Sequence, residues 1–488
     1  MSEIKLNKSL KPTVTRFTHF AELVKLAVFE KRPLPRKGNG IYYRQKKNIM
    51  TTEEFWKKYT DEDFLERFDE ILDFFSKELP AGFLEERDAG EVIFEIKDHL
   101  VSARKFDRAL KFLNLIREKH PGLYHENFHY LDGFLVDYYC FHGDAEKVGA
   151  AFANFIEDPL RDYDMFFITF KKLLFYQHFD LLDRAITGNY DDVADSDKLW
   201  GYPEYDLAIC KLYSELDGFY EIDSSVFPKD QLLKVLKRYR FDLDEKLLSS
   251  IEQGVFSDVC TKELLEDIFI NDRQMFRFTL QWCFMKYMKG KGVGFALSGR
   301  VFEKVLTYWE ANIKKKKKRS LELYFDVHPH KFEKHLVDLS GDITYDNKPE
   351  MVAVLWGCSY IYDFLSGTGL ISSEVYEKFI TQSGRLKGLM IGQFTPDLWE
   401  YSFVHTWGRP DSVSETEFTE ERKIFRKSIN FKRAGFNELK KEITAELVNI
   451  GALSTCIEEG GKGRKAVLDL SEMQDLFTPS GEYDEPGD

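Results

Sequence analysis

The sequence predicts a mainly all-α protein: an antiparallel helical-hairpin solenoid in the N-terminal half, then a helical C-terminal region with a small β-hairpin near the end. Three observations carry this. Large apolar residues are abundant, with 43 Phe in 488 residues, while Pro (14) and Gly (31) are sparse. Apolar residues recur at helical spacing over most of the chain. Between about residues 89 and 190, helix–turn–helix units follow one another at a near-constant interval.

The length exceeds what one core ordinarily supports, so several domains or an extended array are expected. The expected divisions are 1–60, a basic helix and loop; 61–200, the repeats; 201–320, further helices; 321–432, a C-terminal helical domain; 433–475, a helix plus β-hairpin; and 476–488, a disordered acidic tail. Net charge is −14, unevenly spread: residues 1–50 hold twelve Lys/Arg against three acids, a local +9 that leaves −23 for the rest. An acidic body repels nucleic acid and anionic membrane except at a local basic patch. The six cysteines are scattered without a CxxC, which argues against a disulfide framework or zinc ribbon and for free thiols acting as small hydrophobes. With neither a secretory-type apolar core near the start nor a long uninterrupted apolar window, a cytoplasmic protein without membrane association is expected.

Taking the elements in order, a helix over 15–31 precedes a basic loop, RPLPRKGNGIYYRQKK. Thr60-Asp61 then cap an amphipathic helix carrying Phe64, Phe68, Ile71 and Phe75, which Pro80 ends. The clearest hairpin is GEVIFEIKDHLVSARKFDRALKFLNLIREKHP, turning at Ala103–Phe106, with Ala109 as a small residue early in its second helix and Pro121 at its close. FLVDYYCFHGDAEKVGAAFANFIEDP follows, with Gly143-Asp144 at the turn and Val148 at the small position. FFITFKKLLFYQHFDLLDRAI places Ala185 there. Further helices are expected at 204–218, 229–240, 244–253, 261–271, 273–289 and 298–313. A glycine-rich turn lies at 289–299, irregular chain at 320–348, an apolar helix from Glu350, a charged linker at 408–432, and a helix at 436–449 before STCIEEGGKGRKAVLDL, read as two short strands about a glycine turn.

These hairpins, with their small residue and closing proline, resemble the tetratricopeptide repeat over about a hundred residues. The spacings of 39 and 37 between small positions exceed that family's period of about 34, and its early Trp and mid-helix Gly are absent. The resemblance implies stacked hairpins whose first helices line a partner-binding face. Transferred unit by unit, the partner-facing positions are Phe94 and Asp98, Tyr130 and Asp137, and Phe170 and Gln177. Phe94 and Phe170 also fit an ordinary core.

Two other functions stay open. His125-Glu126-Asn127-Phe128-His129 is an HExxH, which on a helix sets two imidazoles one turn apart for zinc, with Glu126 as general base of a metallopeptidase and Asp158 as the candidate third ligand. The motif coincides with the start of a repeat helix and continues as a packing stripe through Gly133, Val136 and Cys140, which favours plain packing. A second histidine group, His328, His330 and His335, has poor spacing for one metal and reads as surface. Nucleic-acid binding would use the basic loop at 31–47, with Tyr42 and Tyr43, and the run Lys314–Lys318 with Arg319. A helix end and a solvated face account for the lysine run equally well. The glycine-rich stretch lacks a phosphate-binding spacing and reads as a turn or hinge. No nucleophile motif is present. A non-enzymatic scaffold that recruits a protein partner, needing no cofactor, is therefore the leading expectation.

Overall fold

The computed structural model describes residues 67–79, 89–196, 199, 203–241, 245–257, 261–313, 320–340 and 347–431. The helix expected at 15–31, the basic loop, the Thr60-Asp61 cap, the lysine run, the helix and β-hairpin expected after 432 and the acidic tail lie outside the described residues. The fold is all-α, with no strand among the described residues. They belong to one compact unit, Thr52–Asp488.

Helix α1 (Phe68–Phe75) packs on the first hairpin, α2 (Ala89–Ser102) and α3 (Phe106–Lys119). A second hairpin, α4 (Pro121–His142) and α5 (Ala145–Glu157), and a third, α6 (Tyr163–Phe175) and α7 (Phe179–Ala194), follow. First helix packs on first helix, α2 on α4 and α4 on α6, while α5 meets α7. Ala109, Val148 and Ala185 are each fully buried, as close approach of neighbouring helices requires. Local chemistry sets the starts: Pro121 opens α4 where its missing N–H costs nothing. Asp144 and Asp162 cap α5 and α6, accepting from the Lys147 and Met165 amides at 3.2 and 3.0 Å.

All three hairpins turn in the same way. Arg104, Gly143 and Gln177 adopt left-handed φ of 56°, 71° and 60°. The next amide then donates back five residues, Lys105 to Leu100, Asp144 to Tyr139 and His178 to Leu173, at 2.8–3.0 Å. This satisfies carbonyls that a helix end leaves open. Only Gly143 takes this conformation without a Cβ penalty; at Arg104 and Gln177 it costs roughly 1–2 kcal/mol. Both side chains reach distant parts of the chain. Arg104 bonds the Pro396 carbonyl and, at 2.9 Å, Asp397. The Gln177 amide donates to the Gly292 carbonyl at 3.2 Å and accepts from the Gly294 amide at 2.8 Å. The glycine-rich stretch is thus a helix-ending turn, with Gly292 at φ 74°, that receives Gln177.

The chain continues through α8 (Pro203–Ile222), α9 (Lys229–Arg238), α10 (Glu245–Ile251) with a π turn at Glu252–Phe256, α11 (Lys262–Asn271), α12 (Arg273–Lys289) and α13 (Phe295–Ile313). Two stretches are helical where the sequence led to irregular or linker-like chain. The stretch expected to be irregular contains α14 (Leu321–Phe325) and α15 (Pro329–Leu339), the latter begun by Pro329 and anchored by buried Phe332 and Leu336, one turn apart. The linker-like region after 408 contains α18 (Glu415–Lys427), capped by Ser414 and held by Ile424 and Phe425. Between them lie α16 (Lys348–Gly367), α17 (Ser373–Gln393) and a 3₁₀ segment, Thr395–His405. Helix α16 is buried almost all round, with Trp356, Tyr360 and Tyr362 among its core residues.

Helix α13 runs against both α8 and α16. Glycine makes one of these contacts close: a Cβ on Gly357 would fall inside the van der Waals radius of Val301. Ionic bonds add direction. Glu350 of α16 accepts from Arg300 at 2.6 Å and lies 3.6 Å from Lys171 of α6 and 3.5 Å from Lys304. Arg300 also pairs with Asp206 of α8 at 2.9 Å. Burial opposes ionisation of Glu350, but Arg300, Lys171 and Lys304 outweigh it and hold its pKa at about 2. A cysteine expectation also changes: Cys140, Cys210 and Cys358 are free and buried, but Cys283 is disulfide-bonded.

Candidate interaction surface

The successive hairpins put the first-helix positions side by side. Phe94 of α2 and Tyr130 of α4 meet with ring centroids 5.4 Å apart, and the Tyr130 side of this pair is 42% exposed. Between them, Lys97 is buried with its Nζ 4.4 Å from the Phe94 ring centroid. It donates to the Tyr130 carbonyl at 3.0 Å and pairs with Asp98 at 2.5 Å. Burial lowers the Lys97 pKa, and Asp98 opposes that shift. The ammonium therefore orders two neighbouring first helices and leaves the aromatic pair and Asp98 facing outward.

The other three residues expected on this face have different places. Asp137 is ion-paired with Lys172. Phe170 is 1% exposed and belongs to the core. Gln177 is committed to the Gly292–Gly294 turn. The ends of the first helices near the hairpin turns are covered by the 3₁₀ segment. Trp399 rests on Phe106 and Phe141, and Phe403 stacks on Phe175 at 4.9 Å. Above Asp137, burial first and then the charges of Asp137 and Asp397 raise the pKa of Glu400. The open part of the face is the end bearing Phe94, Asp98 and Tyr130.

The residues of the zinc alternative are not brought together around one point. His125 and Glu126 are exposed on α4, and His129 is half-buried. The acid nearest His129 is Asp162, 3.9 Å from Nε2, rather than Asp158, which pairs with Arg161 at 3.5 Å. Burial lowers the His129 pKa, with Asp162 opposing. Among the described residues no group of three or more His, Cys, Asp or Glu side chains is placed to hold a metal ion. His125, Glu126 and His129 thus have no third protein ligand beside them among the described residues. In the second histidine group, His328 and His330 have ring centroids 6.2 Å apart while His335 and the neighbouring acids are engaged elsewhere. His335 Nε2 bonds the Lys304 carbonyl at 3.0 Å, Glu333 pairs with Arg385 at 2.9 Å, and Asp326 with Lys378 at 2.7 Å.

Two buried polar clusters were not expected from the sequence. Asp132, fully buried on α4, accepts from Tyr124, from Arg117 of α3 at 3.1 Å and from Asn154 of α5 at 2.8 Å. Burial raises its pKa against these donors. The cluster locks the first hairpin to the second. Beside a cavity of about 260 Å³ near α16, α17 and α18, Glu421 accepts from His405 at 2.8 Å and Trp356 at 2.6 Å, while Lys387 donates to Ser359 at 2.7 Å. Ser359 sits in mid-helix, where the backbone N–H groups are used in the helix itself, so none is left for a developing oxyanion. The only sequence signal for either cluster is a charge inside an apolar run, as in Leu131-Asp132-Gly133-Phe134.

Fold and surface together define an all-helical protein of packed hairpins with an aromatic and acidic patch on its first helices. No helix among the described residues is long and apolar enough to cross a membrane. No protein-family model, curated protein or solved structure matches the chain.

Proposed function

We propose that this protein is a non-enzymatic scaffold in the cytoplasm: a tetratricopeptide-like hairpin solenoid that recruits a protein partner through the outer end of its first-helix face. The observation that carries the reading is the half-exposed Tyr130 ring against Phe94, fixed by buried Lys97 with Asp98 beside it. Rigid aromatic surface next to a carboxylate suits a partner segment with apolar and basic side chains, because ring burial supplies binding energy and the acid supplies orientation. Three successive hairpins with equivalent turns and buried small residues support the repeat reading. The test is selection of short random peptides on the full chain. Enrichment of sequences mixing Lys or Arg with apolar residues is expected, with affinity falling about tenfold or more in Tyr130→Ala. Failure to enrich any peptide, or equal binding by Tyr130→Ala and Phe94→Ala variants, refutes it.

A further inference from the structure

A separate cavity of about 290 Å³ opens where α7, α8 and the end of α9 meet, walled by Tyr190, Tyr205, Tyr239 and Phe241 with Glu204 and Arg240 at its edges. The rings form two edge-to-face pairs. Tyr190 and Tyr239 lie 4.8 Å apart at 78°, and Tyr205 and Phe241 6.1 Å apart at 68°. Tyr190 and Tyr239, 1% and 6% exposed, close the inner end of the cavity, so a guest meets aromatic carbon chiefly from Tyr205 and Phe241 at its open side. The Tyr190 hydroxyl donates to the Tyr239 carbonyl at 2.9 Å and fixes one pair. Tyr205 is 54% exposed and gives access.

The charges around the cavity are unequal. Arg240, in a left-handed conformation, is held by Asp195 at 2.9 Å. Arg238 is held by both oxygens of Asp191, at 2.9 and 2.8 Å, and lies over the Tyr190 and Tyr239 rings at 5.9 and 5.5 Å. Both cations are thus neutralised by acids outside the cavity. Glu204 has no ion-pair partner among the described residues, which leaves one net negative charge at an aromatic box. Aromatic faces attract cations through the ring quadrupole. A bare ammonium or guanidinium would bring N–H groups that a single carboxylate cannot satisfy. A methylated ammonium brings none.

We propose that this cavity binds a trimethylammonium group, carried by a choline-type small molecule or by a methylated lysine side chain. The test titrates the full chain with choline, with a short peptide containing trimethyl-lysine, and with 3,3-dimethyl-1-butanol, the uncharged isostere of choline. At least one cation binds, and the isostere binds about tenfold more weakly or less, since only the charge differs. Glu204→Gln and Tyr205→Ala each weaken the cation about fivefold or more. The Tyr205 side chain is about half exposed, and thermal unfolding of each variant verifies an intact fold. Tighter binding of the peptide assigns the site to a methylated protein, and tighter binding of choline to a small molecule or headgroup. Binding of neither cation at millimolar concentration, equal binding of the isostere, or unchanged affinity in both variants overturns the proposal.

Discussion

Glu350→Gln tests how the first-half hairpins are fastened to the later helices. Glu350 is 4% exposed and faces Arg300, Lys171 and Lys304, which come from α13 and α6. Its carboxyl titrates at about 2 in the folded chain against an ordinary 4.5. At 1.36 kcal/mol per unit, that difference is worth about 3 kcal/mol to the ionised folded state. The folded pKa lies below the unfolded one, so this stability is complete above about pH 4.5 and is lost as pH falls toward 2. By linkage about 1.4 kcal/mol of it is gone at pH 3.5. The amide cannot answer three cations, so the variant is about 3–5 kcal/mol less stable at pH 7, and the gap narrows on acidification. Urea unfolding of both proteins from pH 7 to 3.5 measures this. A gap under about 1 kcal/mol, or one that does not change with pH, would show that Glu350 is not fastening these helices.

Two further outcomes follow from the packing. Gly357→Ala drives a methyl into Val301 where α16 meets α13 and costs about 1–3 kcal/mol in urea unfolding; a neutral result means the helices part without penalty. Gln177→Gly removes the left-handed strain but also both bonds to the glycine-rich turn, so the variant gains less than about 1 kcal/mol or loses stability. A gain above that range indicates that the side chain contributes nothing, and exchange of the Gly294 amide gives a direct readout, rising as its acceptor is lost.

The sequence by itself determined the helices with strong apolar periodicity and the first-half hairpins. Ala109, Val148 and Ala185 were legible because helical spacing and a small side chain are local properties, as were Pro121 and Gly143 at helix ends. Chain statistics failed where a short apolar stripe was interrupted by charge, which hid α15 and α18. On the candidate surface, Phe94, Asp98 and Tyr130 were named from the resemblance, and the packing brings Phe94 and Tyr130 into contact with Asp98 beside them. Only tertiary structure decided that Phe170 is core, that Asp137 is paired with Lys172 and that Gln177 holds a turn more than a hundred residues away. The physical reason is that periodicity reports which face of a helix is apolar but not what arrives to cover it. Ionic contacts such as Glu350 with Arg300 and Lys171, and the meeting of Tyr190 and Tyr205 with Tyr239 and Phe241, join segments whose separation carries no pattern. Such contacts exist only once the hairpins have packed.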